Sequence, residues 1–117
     1  MQDYRNLKVW QKAHALTLAV YHATTEFPPD ERFGLTIQLR RTAASIPMTL
    51  ADGCGRPTDA EFHKALSLAM GAGSQLDYQL LLAHDLGFLR KEEHARLAAE
   101  LVEVRKMLAG LTHSMHG

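Results

Sequence analysis

The stretch "FGLTIQLRRTAASIPMTLADGCGR", residues 33–56, decides how this chain folds. Its apolar residues recur at helical spacing, which predicts a helix over about residues 34–54. Pro47 lies near the middle of that helix, where a proline removes one backbone hydrogen bond at a cost of about 3 kcal/mol. Two interpretations follow: one helix kinked at Pro47, or two short helices broken between Ile46 and Pro47. Glycines and Pro57 then end the helix.

The apolar residues of this helix occupy two faces when they are plotted at about 100° per residue. The first face is formed by Leu35, Leu39, Thr42, Ala43, Ile46 and Leu50. The second, on nearly the opposite side, is formed by Ile37, Ala44, Met48 and Ala51. One face is enough for the core of a monomer, and an exposed apolar face favours association. The second face is therefore predicted to be an interface between copies of this chain.

Helical spacing also predicts helices over about residues 7–25, 59–86 and 91–112, and no segment shows the alternation typical of a strand. Prolines end the first of these helices, and Gly87 ends the third helix of the chain. Four amphipathic helices joined by short loops predict an all-α protein. Its expected architecture is an antiparallel up-down four-helix bundle, with residues 1–117 as a single domain.

The helix ends carry their own signals. Asn6 is predicted to cap the first helix, because a short polar side chain there accepts from a free backbone amide. The sequence "TDAE", residues 58–61, fits a capping box. In such a box the Thr58 hydroxyl accepts a hydrogen bond from the Glu61 amide, and the Glu61 carboxylate accepts one from the Thr58 amide. The tail over residues 112–117 is expected to fray.

Composition favours a globular protein, since 46% of the residues are hydrophobic and 22% are charged. No apolar run approaches the roughly 20 residues that span a membrane, and the N-terminus has no signal-peptide core. Cys54 is the single cysteine and has no partner for an internal disulfide. A cytoplasmic location without membrane contact is therefore expected.

The charges are balanced in total, with 13 Lys and Arg against 13 Asp and Glu, but they are unevenly distributed. Residues 32–56 contain four arginines against one aspartate, whereas residues 57–89 contain one lysine against four carboxylates. A folded unit with a basic side and an acidic side is therefore predicted. The candidate nucleic-acid contacts are Arg40, Arg41, Arg56, Lys8 and Lys12.

The adjacent Arg40 and Arg41 allow two interpretations. They pair with Asp52, Glu31 or carboxylates of the third helix, or they bind phosphate through the donor fork of the guanidinium group. One copy presents too few charges for tight binding, but a ring of copies would repeat them around one axis.

No residue pattern points to catalysis, a metal or a cofactor. Asp59 and His63 are four residues apart on one helix face, but a metal site needs a further ligand. Cys54 lies beside a helix C-terminus, whose dipole opposes a thiolate. The chain is therefore expected not to be an enzyme.

The aromatic residues, among them Trp10, Tyr21 and Phe33, are interpreted mostly as core or loop anchors. Aromatic side chains interleaved with basic ones also stack on nucleic-acid bases, and that second role stays open. For Trp10, the apolar neighbours at helical spacing favour burial in the core.

Several blocks, "VWQKA", "ERFGLT", "QLRR", "SIP" and "GCGR", together resemble a known family over about residues 4–111. These are the four-helix-bundle proteins encoded in intervening sequences of bacterial 23S ribosomal RNA genes. The accessory variability proteins of diversity-generating retroelements are similar. The resemblance implies a ring-like homopentamer without catalytic residues. For the retroelement relatives it implies binding of nucleic acid and of a reverse transcriptase.

The resulting hypothesis is a non-enzymatic, homo-oligomeric bundle that acts as a nucleic-acid-associated protein or a reverse-transcriptase accessory protein. The alternative is an oligomeric protein-binding scaffold that has no nucleic-acid role. No cofactor or metal is expected in either case.

Overall fold

The computed structural model describes residues 2–116, with side chains described as far as Met115. The helices are α1 (Lys8–Thr24), α2 (Leu35–Cys54), α3 (Asp59–Asp85) and α4 (Lys91–His116). Two short 3-10 turns, Tyr4–Asn6 and Pro29–Glu31, precede α1 and α2. No strand occurs between residues 2 and 116, and the predicted all-α class is confirmed.

The helices form an antiparallel up-down bundle, as predicted. Each helix packs against its neighbours in sequence, and α1 also packs against α4, which closes the square. The bundle measures 43 × 23 × 20 Å. With 27 residues, α3 is about 40 Å long and therefore spans the whole long axis. Within residues 2–116, no helix is both long enough and apolar enough to cross a bilayer.

The core is built mainly from leucine, and all four helices contribute to it. Its largest fully buried side chains are Leu16, Leu39, Ile46, Leu50, Leu66, Leu76, Leu80, Leu97, Leu101, Leu108, Val20 and Val104. The predicted first face of α2 lies in this core, except that Thr42 is only partly buried. Burial of these side chains removes apolar surface from water, which stabilises the bundle.

The α2 helix is continuous through Pro47, so the interpretation as two short helices is wrong. Pro47 has no amide hydrogen for the carbonyl of Ala43, four residues earlier. The buried hydroxyl of Thr17 on α1 donates to that carbonyl instead, at 3.1 Å. Packing against α1 therefore satisfies the group that the proline leaves free. The kink itself stays a prediction.

The α2 and α3 helices approach closely beside Gly53, which is buried. A Cβ atom at Gly53 would lie 2.6 Å from the Cβ of Ala65 and 3.2 Å from Cδ1 of Phe62. Only a residue without a side chain fits there, because real Cβ contacts are longer. This glycine therefore allows the C-terminal end of α2 to approach α3 closely.

Thr58 caps α3 as predicted, and its hydroxyl accepts from the Glu61 amide at 3.2 Å. The second arm of the predicted box differs: the Thr58 hydroxyl donates to the Glu61 carboxylate at 3.0 Å. The prediction that Asn6 caps α1 is wrong, because the cap position is Leu7. Asp3 accepts from the Arg5 amide at 3.0 Å and so begins a helical turn before α1.

The α4 helix runs to His116, beyond the predicted end near residue 112. Leu111 and Met115, four residues apart, both pack against the core, so the last turns have an apolar face to bury. Gly117 of the predicted frayed tail lies outside the described residues.

Candidate interaction surface

The second apolar face of α2 lies outside the protomer core. We call its residues, Ile37, Ala44, Met48 and Ala51, the α2 stripe. Met48 is 62% exposed, and the other three side chains are only partly buried. The protomer therefore buries this face only in part. Contact with another copy stays a prediction.

Arg40 borders the α2 stripe and joins α2 to the C-terminal turn of α1. Its Nε donates to the Thr24 hydroxyl at 2.8 Å, and Nη2 donates to the Tyr21 carbonyl at 3.3 Å. The guanidinium also lies 4.8 Å from the centroid of the Tyr21 ring. A cation at a helix C-terminus satisfies free carbonyls and complements the dipole. The interpretation in which Arg40 pairs with Asp52, Glu31 or carboxylates of the third helix is therefore wrong.

Three of the other candidate cations are available for contact. Arg41, Lys8 and Lys12 are exposed, and their side chains make no ion pair or hydrogen bond within residues 2–116. Arg56 instead pairs with Asp52 at 3.1 Å, one helical turn away. Both partners are more than half exposed, so this pair stabilises the protomer little.

The five candidate cations do not converge in one protomer. Arg40 lies near the C-terminus of α1, whereas Arg56 follows the far end of α2, about 24 Å away along the helix. Lys8 lies at the same end as Arg56, beside a groove lined by Met107 and Leu111 of α4. Arg40 and Arg56 therefore lie too far apart in one protomer to contact the same phosphate group.

Trp10 packs against the core and also belongs to an aromatic cluster at the start of α1. Its ring stacks on His14 with centroids 5.1 Å apart and planes at 9°. The Tyr4 ring meets Trp10 edge-on at 4.8 Å, and the Arg5 guanidinium lies over Tyr4. The core role predicted for Trp10 is confirmed, and one face of its ring is already covered by His14.

Cys54 and the potential metal ligands are the remaining candidates for chemistry. Burial raises the pKa of the Cys54 thiol, which keeps it neutral and a weak nucleophile. Cys54 lines a cavity of about 350 Å³ together with Phe62 and Met115. Among the side chains that the structure describes, no group of three or more His, Cys, Asp or Glu can hold a metal ion.

The sequence reasoning missed the exposure of two aromatic side chains, Phe33 and Tyr21. Phe33, interpreted as a core or loop anchor, is 87% exposed, and Tyr21 is 43% exposed. Leu18, one turn before Tyr21, is 50% exposed. Phe33 lies in the turn before Gly34, the N-cap residue of α2, so the periodicity of α2 gives no signal for its exposure.

Comparison with known proteins places the chain among its relatives. A family model described as "23S rRNA-intervening sequence protein" matches residues 5–110. The search of curated proteins finds no match. Among 6 matching chains of solved structures is a protein with unknown function from the S23 ribosomal protein family of Bacteroides thetaiotaomicron VPI-5482.

The superposition on that structure has a TM-score of 0.80 at 18% sequence identity, and it covers 89% of this chain and 97% of that chain. At this identity the similarity concerns the fold alone. The family model, in contrast, spans nearly the whole sequence. The chain therefore belongs to the 23S rRNA-intervening sequence protein family.

Proposed function

We propose that this chain is a non-enzymatic, homo-oligomeric four-helix bundle that associates with nucleic acid as an adaptor. The observation that carries the proposal is the α2 stripe, an apolar helix face that the protomer leaves outside its core. Burial of such a face against another copy removes apolar surface from water at about 25 cal/mol per Å². The resemblance described above suggests five copies.

Assembly gives the nucleic-acid role its physical basis. Arg41, Lys8 and Lys12 are exposed and unpaired within residues 2–116, so their charges are free to meet phosphate. Three cations contact few phosphates, so a single copy binds nucleic acid only weakly. For duplex DNA, each neutralised phosphate changes the slope of the logarithm of the binding constant against the logarithm of the salt concentration by about 0.9. A symmetric ring repeats each cation once per copy and multiplies the number of phosphate contacts.

The first test measures assembly by light scattering over a dilution series. The expected mass is several times the 13.0 kDa of one chain. Met48→Glu introduces a charge into the proposed interface and should shift the mass toward the monomer. Leu68→Glu is the matched control, because Leu68 is 60% exposed on α3, outside the α2 stripe. A monomeric wild type at all concentrations would contradict the proposal.

The second test measures fluorescence anisotropy of labelled RNA and DNA from about 50 to about 200 mM salt. Arg41→Gln combined with Lys8→Gln should lower both the affinity and the salt slope while the oligomer persists. Arg40 is left intact, because it holds the end of α1. Lys64→Gln is the control, since Lys64 lies in the acidic segment of the chain.

The second candidate function is an oligomeric scaffold that binds only proteins. It is favoured by the engagement of Arg40 and Arg56 within the protomer and by a formal net charge of +0. This candidate predicts an intact oligomer that does not bind RNA or DNA even at low salt. That result in the anisotropy measurement would replace the nucleic-acid proposal with the scaffold.

A further inference from the structure

We propose that the cavity at the pole where α2 ends and α3 begins binds a small, uncharged aromatic molecule that carries one hydrogen-bond donor, as indole does. We call it the end cavity, and its lining includes Cys54, Asp59, Phe62, Leu111 and Met115. This ligand site goes beyond the proposed function, and it requires neither an oligomer nor nucleic acid.

The end cavity has the size of a small-molecule site. Its volume of about 350 Å³ lies at the lower end of the roughly 300–1,000 Å³ that such sites occupy. Gln2 and Asp59, which contribute to its lining, are exposed, so the cavity reaches the protein surface and a ligand can enter it. A molecule with one or two rings therefore fits better than one of the size of a nucleotide cofactor.

The apolar part of the lining favours an aromatic ligand. Phe62, Leu111 and Met115 pack against the core and are only partly buried, so they offer apolar surface to the cavity. Cys54 adds a thiol that behaves as a small apolar group, because burial raises its pKa and keeps it neutral. A phenylalanine ring and a thioether sulfur both make favourable contacts with an aromatic ring.

The polar part of the lining has one acceptor available for a ligand. The Asp59 carboxylate makes no ion pair or hydrogen bond within residues 2–116. The Thr58 hydroxyl, in contrast, is engaged with Glu61, and Arg56 is paired with Asp52. An ionised carboxylate accepts hydrogen bonds and donates none, so Asp59 selects a ligand that has a donor.

The charges around the end cavity favour an uncharged ligand. The positive charge of Arg56 is compensated by Asp52 at 3.1 Å. Asp59 is the first residue of α3, where the positive end of the helix dipole compensates a negative charge. Among the described residues of the lining, charges of the two signs therefore offset each other, and neither sign attracts an ion of opposite charge.

Isothermal titration calorimetry with indole tests the proposal, and 1-methylindole is the matched ligand that lacks the donor. Indole should bind at one site per chain. The dissociation constant of 1-methylindole should be about threefold higher or more, because it leaves the Asp59 carboxylate without a partner. Asp59→Ala should remove this difference between the two ligands. Asp30→Ala is the control, because Asp30 is exposed in the loop before α2, at the opposite pole.

A second pair of variants locates the bound indole. Met115→Trp fills part of the end cavity and should raise the dissociation constant of indole by about tenfold or more. Leu81→Trp is the control, because Leu81 is 45% exposed on α3 and does not line the cavity. It should leave the dissociation constant unchanged. Circular dichroism checks that both variants are folded.

Each outcome decides one part of the proposal. A wild type that indole does not begin to saturate at about 1 mM overturns the ligand site. Equal affinities for indole and 1-methylindole overturn the role of Asp59. Unchanged binding to a folded Met115→Trp variant places indole elsewhere and overturns the end cavity as its site. None of these results depends on the oligomer mass or on binding of RNA or DNA, so they leave the tests of the proposed function independent.

Discussion

The hydroxyl of Thr17 donates to the carbonyl of Ala43 at 3.1 Å, and this carbonyl is the acceptor that Pro47 leaves without an amide. Thr17 is 8% exposed and Ala43 is 1% exposed, so water has little access to the pair. The same hydroxyl lies 2.8 Å from the Ala13 carbonyl and shares its single hydrogen between the two acceptors. A buried carbonyl without a donor costs about 1–3 kcal/mol. The proline in α2 is therefore tolerated because α1 supplies a donor.

This relationship predicts a coupling between Thr17 and Pro47. Thr17→Val keeps the shape of the side chain and removes the donor, and it should lower the free energy of unfolding by about 1–2 kcal/mol. In a Pro47→Ala background, the backbone amide of the new alanine supplies the donor, and the same substitution should cost clearly less. Urea unfolding of the four proteins forms the double-mutant cycle. An equal cost in both backgrounds would show that the hydroxyl does not replace the missing amide.

Two glycines in helices should respond to alanine in opposite directions. Gly53→Ala places a Cβ 2.6 Å from Ala65, and overpacking should destabilise the bundle by about 1–3 kcal/mol. Gly71→Ala meets nothing within 4 Å and should stabilise α3 by about 0.5–1 kcal/mol through helix propensity. Chemical denaturation measures both. A stabilised Gly53→Ala variant would mean that α2 and α3 separate easily.

The N-cap of α3 gives a third prediction. Thr58→Ala removes the acceptor of the Glu61 amide and should destabilise the protein by about 1 kcal/mol. Thr58→Ser keeps the hydroxyl and should retain most of the stability. Thermal unfolding of the two variants distinguishes loss of the cap from loss of the methyl group. If both variants unfold at the wild-type temperature, the cap does not stabilise α3.

The buried thiol gives a prediction about pH. Burial raises the pKa of Cys54 in the folded protein above its ordinary value of 9.0. The unfolded thiol therefore ionises first, so the associated stability is fully present below the unfolded pKa and is lost as pH rises through the folded pKa. The free energy of unfolding, measured from about pH 8 to about pH 10, should fall more steeply for the wild type than for Cys54→Ala. Parallel curves would contradict the burial of the thiol.

Periodicity and capping predicted most of the fold, because those signals are local. The third helix, predicted over residues 59–86, is observed as Asp59–Asp85, since Thr58 marks its start within the sequence itself. The end of α4 was missed because a chain end is usually expected to fray. Met115, four residues after Leu111, has a core contact that outweighs this tendency.

The candidate surface was only partly predictable. The α2 stripe followed from the spacing of its residues, because a helix face is a property of one segment. The contacts of Arg40 with Thr24 and Tyr21 join residues on two different helices. Their formation depends on how α1 is rotated about its own axis against α2, and the periodicity of one helix does not determine that rotation.

Gln2 and Met115 line the same end cavity, so the two extremities of the described chain lie close together. A circular permutant can therefore be made in which a short flexible linker connects residue 116 to residue 2. Its new ends can be opened beside Gly87, in the exposed loop between α3 and α4. Such a circular permutant would contain the same four helices in a different order. A label attached beside Gln2 or beside Met115 would lie at one pole of the bundle and leave the opposite pole unobstructed.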